Sequence, residues 1–189
     1  MKKIFALLTA IACCTIVANA QWHKFNPYFV GPDAVYFEGR VIEDASPLSF
    51  KILPDGYAAD DWNVYYFGQK IRDASASSFA VLSWDYAKDS FNVYFKGRKL
   101  PGASVSSFKV LGDWYAADDF AVYFGPDKIS DASPSSFQVL GDGYAKDDWN
   151  AYFDGVKIAD ASAGSFQNRG NGYATDNWNT YYMGQKLRH

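Results

Sequence analysis

Three adjacent carboxylate pairs, Asp60-Asp61, Asp118-Asp119 and Asp147-Asp148, are the first residues of this chain that could carry chemistry. Two carboxylates can act as acid and nucleophile on a glycosidic bond when a cleft holds them at a set separation. They can also supply part of the roughly six to eight oxygens that calcium takes. The second member is Ser90 in one corresponding place and Asn177 in another, and no Gly-spaced D-x-D-x-D loop occurs. An active site is normally singular, whereas this feature recurs. Aspartate and asparagine also serve tight turns by hydrogen bonding to nearby backbone. Turn chemistry is therefore the leading expectation, with calcium-stabilised repeats as an alternative.

Other reactive groups are scarce. His23 and His189 stand near the two ends of the sequence, and both cysteines, Cys13 and Cys14, lie in the first twenty residues. No serine sits in a nucleophile-elbow pattern and no glycine-rich phosphate loop is present. The reading assigns no catalytic residue, no cofactor and no metal ligand, and expects no enzyme.

What recurs most regularly is tyrosine. Tyr57, Tyr86, Tyr115, Tyr144 and Tyr173 are 29 residues apart; so are Tyr36, Tyr65, Tyr94, Tyr123, Tyr152 and Tyr181, and so are Phe50, Phe79, Phe108, Phe137 and Phe166. Tyr28 marks a degenerate first copy. An unbroken period of this length indicates a stacking structural unit. The domain reading is a leader over 1–20, a lead-in over 21–27 and one repeat domain over 28–189. Its units run 28–56, 57–85, 86–114, 115–143 and 144–172, with a partial copy over 173–189.

Turn signals within a unit come too often for long helices, and short alternating runs separate them. A three-residue loop, Asp60-Asp61-Trp62, would pair Ala59 with Asn63 and Ala58 with Val64. That register keeps position 59, which becomes Lys88 and Lys146 in other copies, away from Val64. A two-residue loop at Phe67-Gly68 would then pair Tyr66 with Gln69, Tyr65 with Lys70 and Val64 with Ile71. Gly125-Pro126 must turn differently. In "DASASSF" and its copies, Ser46-Pro47 and Ser133-Pro134 resemble an N-cap followed by proline at the first helical position. One helical turn there would deliver the phenylalanines to the core, and "AVL" would form a fourth strand. Gln167-Asn168-Arg169 replaces the apolar residues of that strand in the last junction, as a capping repeat requires.

The expected fold is all-β: an open, solenoid-like stack of short antiparallel strands plus one helical turn per unit, with a closed propeller-like ring as the alternative. Twenty-nine residues is short for a propeller blade, which takes about 40 or more.

In this register Tyr57, Asn63, Tyr65 and Lys70 share a face. Position 65 is tyrosine in all six copies although its neighbour accepts phenylalanine, so each copy either uses the hydroxyl or needs a ring that tolerates water. The candidate ligand-facing residues are Tyr57, Tyr65, Lys70, Tyr86, Tyr94, Lys99, Tyr115, Tyr123, Lys128, Tyr144, Tyr152 and Lys157. Stacked rings beside hydrogen-bonding groups suit a glycan. The competing reading, which stacking repeats favour, buries each ring between units and spends its hydroxyl on the neighbour. Trp62, Trp149 and Trp178, interchanging with Phe91 and Phe120, suggest a lid over the core edge.

The leader has Lys2 and Lys3, an apolar run from Ile4 to Val17, and Ala18-Asn19-Ala20 as a cleavage site: a secretory signal peptide, too short for a membrane span. Ala10 stands three residues before Cys13 where lipidation would favour Leu, so cleavage after Ala20 is expected over a lipoprotein form. Without Lys2 and Lys3, 16 basic residues face 21 acidic ones, a formal charge of −5. No basic run remains, which argues against nucleic acid. Aromatic residues make up 19% of the chain, more than a core of this size needs.

The stretches "YAADDWNVYYFGQKI", "YAKDSFNVYFKGRKL", "YAKDDWNAYFDGVKI" and "YATDNWNTYYMGQKL" resemble the DKNYY repeats, a bacterial family. The resemblance covers residues 28–187. The middle lysine of that namesake is Asp, Ser or Asn here. The resemblance implies a repeat fold and no catalytic residue, since the family has no established activity. The functional expectation is an extracytoplasmic, non-enzymatic repeat protein of the cell envelope, periplasmic, surface-bound or secreted. It would serve as a structural or protein-interaction scaffold, with protein or glycan as partner and no transmembrane span in the mature chain.

Overall fold

The computed structural model describes residues 27–188. The leader, its cleavage site, Cys13, His23 and His189 lie outside the described residues.

The chain forms six small antiparallel sheets in tandem. The first has three strands, Tyr28–Val30, Val35–Phe37 and Arg40–Val41. The second has four: Lys51–Ile52, Tyr57–Ala59, Val64–Tyr66 and Gln69–Lys70. The other four sheets repeat that order, ending with Gln167–Gly170, Tyr173–Thr175, Thr180–Tyr182 and Gln185–Lys186. Their phase differs from the sequence period. The "AV" strand, Ala80–Val81, pairs with Tyr86–Lys88 of the following copy, so each complete sheet begins just after a conserved-spacing phenylalanine.

The sheets lie face against face. One face of the second sheet, carrying Ala58 and Tyr65, packs on Tyr28, Val35 and Ile42 of the first. The opposite face, carrying Tyr57, Val64 and Ile71, packs on Ala87 and Tyr94 of the third. Three further clusters continue the series to the sixth sheet. Among the described residues no core cluster joins the sixth sheet to the first. Tyr173, whose equivalents are fully buried, is 45% exposed. The array is open.

The aromatic excess is thereby accounted for. The strands are only two to four residues long, so few side chains meet at each interface and large rings fill it. Tyr57 lies 4.8 Å from Tyr66 and 5.5 Å from Phe79 between ring centroids, and Phe79 lies 5.6 Å from Tyr94. Edge and tilted contacts of this kind add to the burial of the rings themselves.

The second hairpin has the expected register: Tyr65 opposite Lys70, Tyr66 opposite Gln69, and the Ile71 N–H donating to the Val64 carbonyl. Phe67 and Gly68, both at positive φ (44° and 74°), form its type I′ turn. Gly125-Pro126 does turn differently. Gly125 has φ of 55° while proline holds φ near about −65°, the type II′ pattern, and the register is unchanged.

The first hairpin corrects the expected register by one residue. Ala59 pairs with Val64, Ala58 with Tyr65 and Tyr57 with Tyr66. The turn runs from Asp60 to Asn63, closed by the Asp60 N–H to the Asn63 carbonyl at 2.9 Å. The pattern argument failed because lysine at position 59 is not solvated throughout its length. Lys88 Nζ reaches the Val105 carbonyl and Lys146 Nζ the Ala163 carbonyl, at 3.4 and 3.3 Å. Their stems cover the core edge while the heads find acceptors. The consequence is that Tyr57 and Tyr65 lie on opposite faces of the sheet.

The helical turn is present as a 3-10 turn at Ala76–Ser78 and Ala163–Ser165. The preceding serine makes no side-chain cap in either. In the other three copies, at 47–49, 105–107 and 134–136, a turn stands in its place. The position before each "AS" has positive φ in Asp44, Asp73, Gly102, Asp131 and Asp160, which explains its Asp/Gly interchange.

Candidate functional site

Each complete unit is fastened by two polar nodes. The first is the aspartate that opens the hairpin turn. Asp60 Oδ1 accepts the N–H groups of Trp62 and Asn63 at 2.8 and 2.7 Å. Its Oδ2 accepts the Ser46 N–H from the preceding unit at 3.0 Å and the Tyr65 hydroxyl at 2.9 Å. Asp89, Asp118, Asp147 and Asp176 repeat the arrangement. Both oxygens thus face N–H and O–H donors, the chemistry of a turn and not of a cation cage. Among the described residues no three His, Cys, Asp or Glu side chains converge as a metal group would. Burial alone would raise the pKa of these carboxyls, but the converging donors hold all five below the usual carboxylate value.

Tyrosine at position 65 is explained by this node. Its hydroxyl donates to its own unit's aspartate in five copies, at 2.8 to 3.1 Å. The adjacent position, Tyr66 or Phe95, contributes its ring. In the first sheet Gly31 stands where the aspartate would be.

The second node is the Tyr57 hydroxyl. It donates to the Asp85 carbonyl and accepts the Gly97 N–H, both in the next sheet and both at 3.0 Å. Tyr28, Tyr115 and Tyr144 make the same pair of bonds. Tyr86 departs from it. Pro126 occupies the place of Gly97 and has no N–H, and the Tyr86 hydroxyl instead faces the Trp114 and Gly125 carbonyls at 2.8 and 2.9 Å. Burial, first among the causes, raises the pKa of these hydroxyls: Tyr28 stands at about 12, and Tyr57, Tyr86 and Tyr115 are also raised.

The twelve candidate ligand-facing residues therefore separate. Tyr57, Tyr65, Tyr86, Tyr94, Tyr115, Tyr123, Tyr144 and Tyr152 are all 3% exposed or less, in interfaces between sheets. Lys70, Lys99, Lys128 and Lys157 are exposed at the strand edge. Lys70 meets Asp44 at 3.4 Å in solvent, a pair of little energetic weight. The lysines and the rings do not form a common surface.

A different surface emerges at the hairpin tips. Trp62, Phe91, Phe120, Trp149 and Trp178 occupy one place in five successive units and are between 75% (Phe91) and 80% (Trp62) exposed. They are not lids on the core. Sequence interchange of Trp with Phe suggested packing, and the signal that could have found them is their position inside a turn.

These features define an all-β tandem-repeat protein whose neighbouring units interlock through buried tyrosines and aspartates. A model of the DKNYY family matches residues 28–85 and 86–189, and the chain belongs to that family. No curated protein and no solved structure matches it.

Proposed function

We propose that the protein is a non-catalytic repeat scaffold of the cell envelope that presents an extended surface to a partner. One observation carries this reading: the buried polar groups that recur along the repeat are engaged in holding units together. The aspartate carboxylates and the hydroxyls at positions 57 and 65 are bonded to backbone or to each other, and none is presented to a substrate. An exposed, periodic outer surface is what remains for recognition. The leader sequence supports an extracytoplasmic location.

Co-sedimentation of the purified mature protein with insoluble envelope material tests the proposal. The expected result is saturable binding with no soluble fragments released. Release of fragments that a single substitution abolishes would overturn it, as would a protein that stays in the supernatant.

A further inference from the structure

Five positions of the repeat are aromatic in all five four-stranded sheets and the segments that precede them: 50, 57, 62, 65 and 66 and their equivalents. Packing accounts for four of them, which fill the interfaces between sheets. It does not account for position 62, whose ring is in water in all five copies. An exposed tryptophan or phenylalanine gains nothing for the fold and costs solubility.

The tips that carry these rings are rigid. The ring residue's own N–H is held by the node aspartate, at 2.8 Å for Trp62 and 2.7 Å for Phe91. The preceding residue's N–H donates to a serine hydroxyl of the previous unit, as Asp61 does to Ser49 and Ser90 to Ser78, at 3.2 and 3.1 Å. The same bonds recur at Asp119, Asp148 and Asn177. Each ring is thus carried on a turn whose backbone is pinned from two units, so the backbone of the platform is preorganised. Sheets stacked face to face are about 10 Å apart, so the platforms recur at about that step.

We infer that this row of rings is a binding surface for a linear, neutral, β-linked polysaccharide; the inference rests on the scaffold reading and names its ligand. Five equivalent platforms match a polymer that itself repeats, since a folded partner would meet only some of them in the same way. The flat C–H face of an equatorially substituted pyranose stacks on an aromatic ring. Its hydroxyls find acceptors and donors in the exposed residue before each ring: Asp61, Ser90, Asp119, Asp148 or Asn177. Neither flanking position of any copy carries a cation, and three carry a carboxylate. Charge therefore disfavours polyanions, including acidic glycans, nucleic acid and anionic lipid surfaces.

Affinity electrophoresis of the full mature protein through gels containing hydroxyethylcellulose tests the inference, with heparin and with phosphatidylglycerol vesicles as the charged arms. Retardation by the neutral polymer alone is expected. Trp62→Ala, Trp149→Ala and Trp178→Ala combined should weaken it roughly a hundredfold through lost multivalency. The corresponding Phe triple variant should keep most of the binding, because two copies already use phenylalanine. Circular dichroism should be unchanged in both variants. No retardation, retardation indifferent to the alanine triple, or binding to the charged arms instead would each overturn it. Envelope co-sedimentation that survives the alanine triple would leave the scaffold reading standing and this one refuted.

Discussion

Replacing Asp147 by alanine removes an acceptor from four donors at once: the Trp149 and Asn150 N–H groups at 2.8 and 2.7 Å, the Ser133 N–H at 2.9 Å and the Tyr152 hydroxyl at 2.8 Å. The Tyr152 hydroxyl can move to the Asp131 carbonyl, 3.4 Å away, so its loss is partial. A stranded, partly buried donor costs about 1–3 kcal/mol. Losing the local cap of the turn adds about 1 kcal/mol. Together these give roughly 3 kcal/mol, and at about 2–4 °C per kcal/mol for a chain of this size a fall in Tm of roughly 9 °C. Asp148, the exposed second carboxylate of the pair, serves as control, and Asp148→Ala should change stability by less than about 0.5 kcal/mol. Asp147→Asn should fall between the two, because one amide oxygen can still accept from the turn while the amide nitrogen faces the Ser133 donor. Tyr152→Phe alone should cost about 1 kcal/mol, and the cycle with Asp147→Ala should show coupling of similar size. Urea denaturation followed by tryptophan fluorescence and by circular dichroism measures all of these. Equal losses for Asp147→Ala and Asp148→Ala, or additive losses for Asp147→Ala and Tyr152→Phe, would refute the assignment of the carboxylate as the node.

The five node aspartates have folded pKa values below the unfolded one, so the stability they add is present above the ordinary carboxylate value and lost as pH falls through the depressed folded values; an acid titration by circular dichroism should show it, with Asp147→Ala losing its penalty at the acid end. The interface tyrosines are raised, so their stability is full below the ordinary tyrosine value of about 10 and disappears as pH rises through the folded values, about 12 for Tyr28 and Tyr66; tyrosinate absorbance and unfolding should therefore rise together in a base titration. Gly97→Ala places a Cβ 2.6 Å from Tyr66 Cβ at a φ of +71°, whereas Gly39→Ala at +76° meets nothing within 4 Å. Both pay the conformational penalty of about 1 kcal/mol, and only Gly97→Ala should lose a further increment of about 2 kcal/mol from displaced packing, read from denaturation midpoints. Asp154 has its pKa raised by burial and then by Asp113, so its charge opposes folding above the ordinary carboxylate value, and Asp154→Asn should raise the neutral-pH midpoint slightly.

The repeat itself served as a substitution series, and that made much of the fold legible. Phenylalanine at position 66 but never at 65 indicated a working hydroxyl, and the Tyr65–Asp60 bond is the reason. Phe67-Gly68 indicated a tight hairpin because two positive φ angles are needed there. The first hairpin was misread because its register is set by Asp60 capping the turn from inside, and a carboxylate that takes four donors looks like any turn aspartate in sequence. Lys88 misled for a related reason, since a long side chain can border a core and still put its charge in reach of a carbonyl. The face assignment followed the register, so the proposed tyrosine surface fell with it. Exposure at Trp62 was invisible for the opposite reason: a ring's burial depends on whether the adjacent unit covers it, which periodicity alone does not encode.

The pattern of nodes also dictates how stability is shared. The hydroxyls of Tyr28, Tyr57, Tyr115 and Tyr144 reach forward, to backbone 28 and 40 residues on. Each aspartate at position 60 is met by a backbone N–H from 14 residues back. No bond of either kind skips a unit. Each inner sheet is thus tied to both of its neighbours and to no sheet beyond them, which is the condition for nearest-neighbour coupling in a linear array. Pro126 interrupts one strand of this coupling, since Tyr86 loses the N–H that the other copies supply. The interface between the third and fourth sheets keeps the ring and aliphatic packing of the others, with Phe95, Leu100 and Phe108 in the places of Tyr66, Ile71 and Phe79. The Tyr86 hydroxyl still reaches the Trp114 and Gly125 carbonyls, so the junction retains a polar contact through a unit whose turn chemistry has changed.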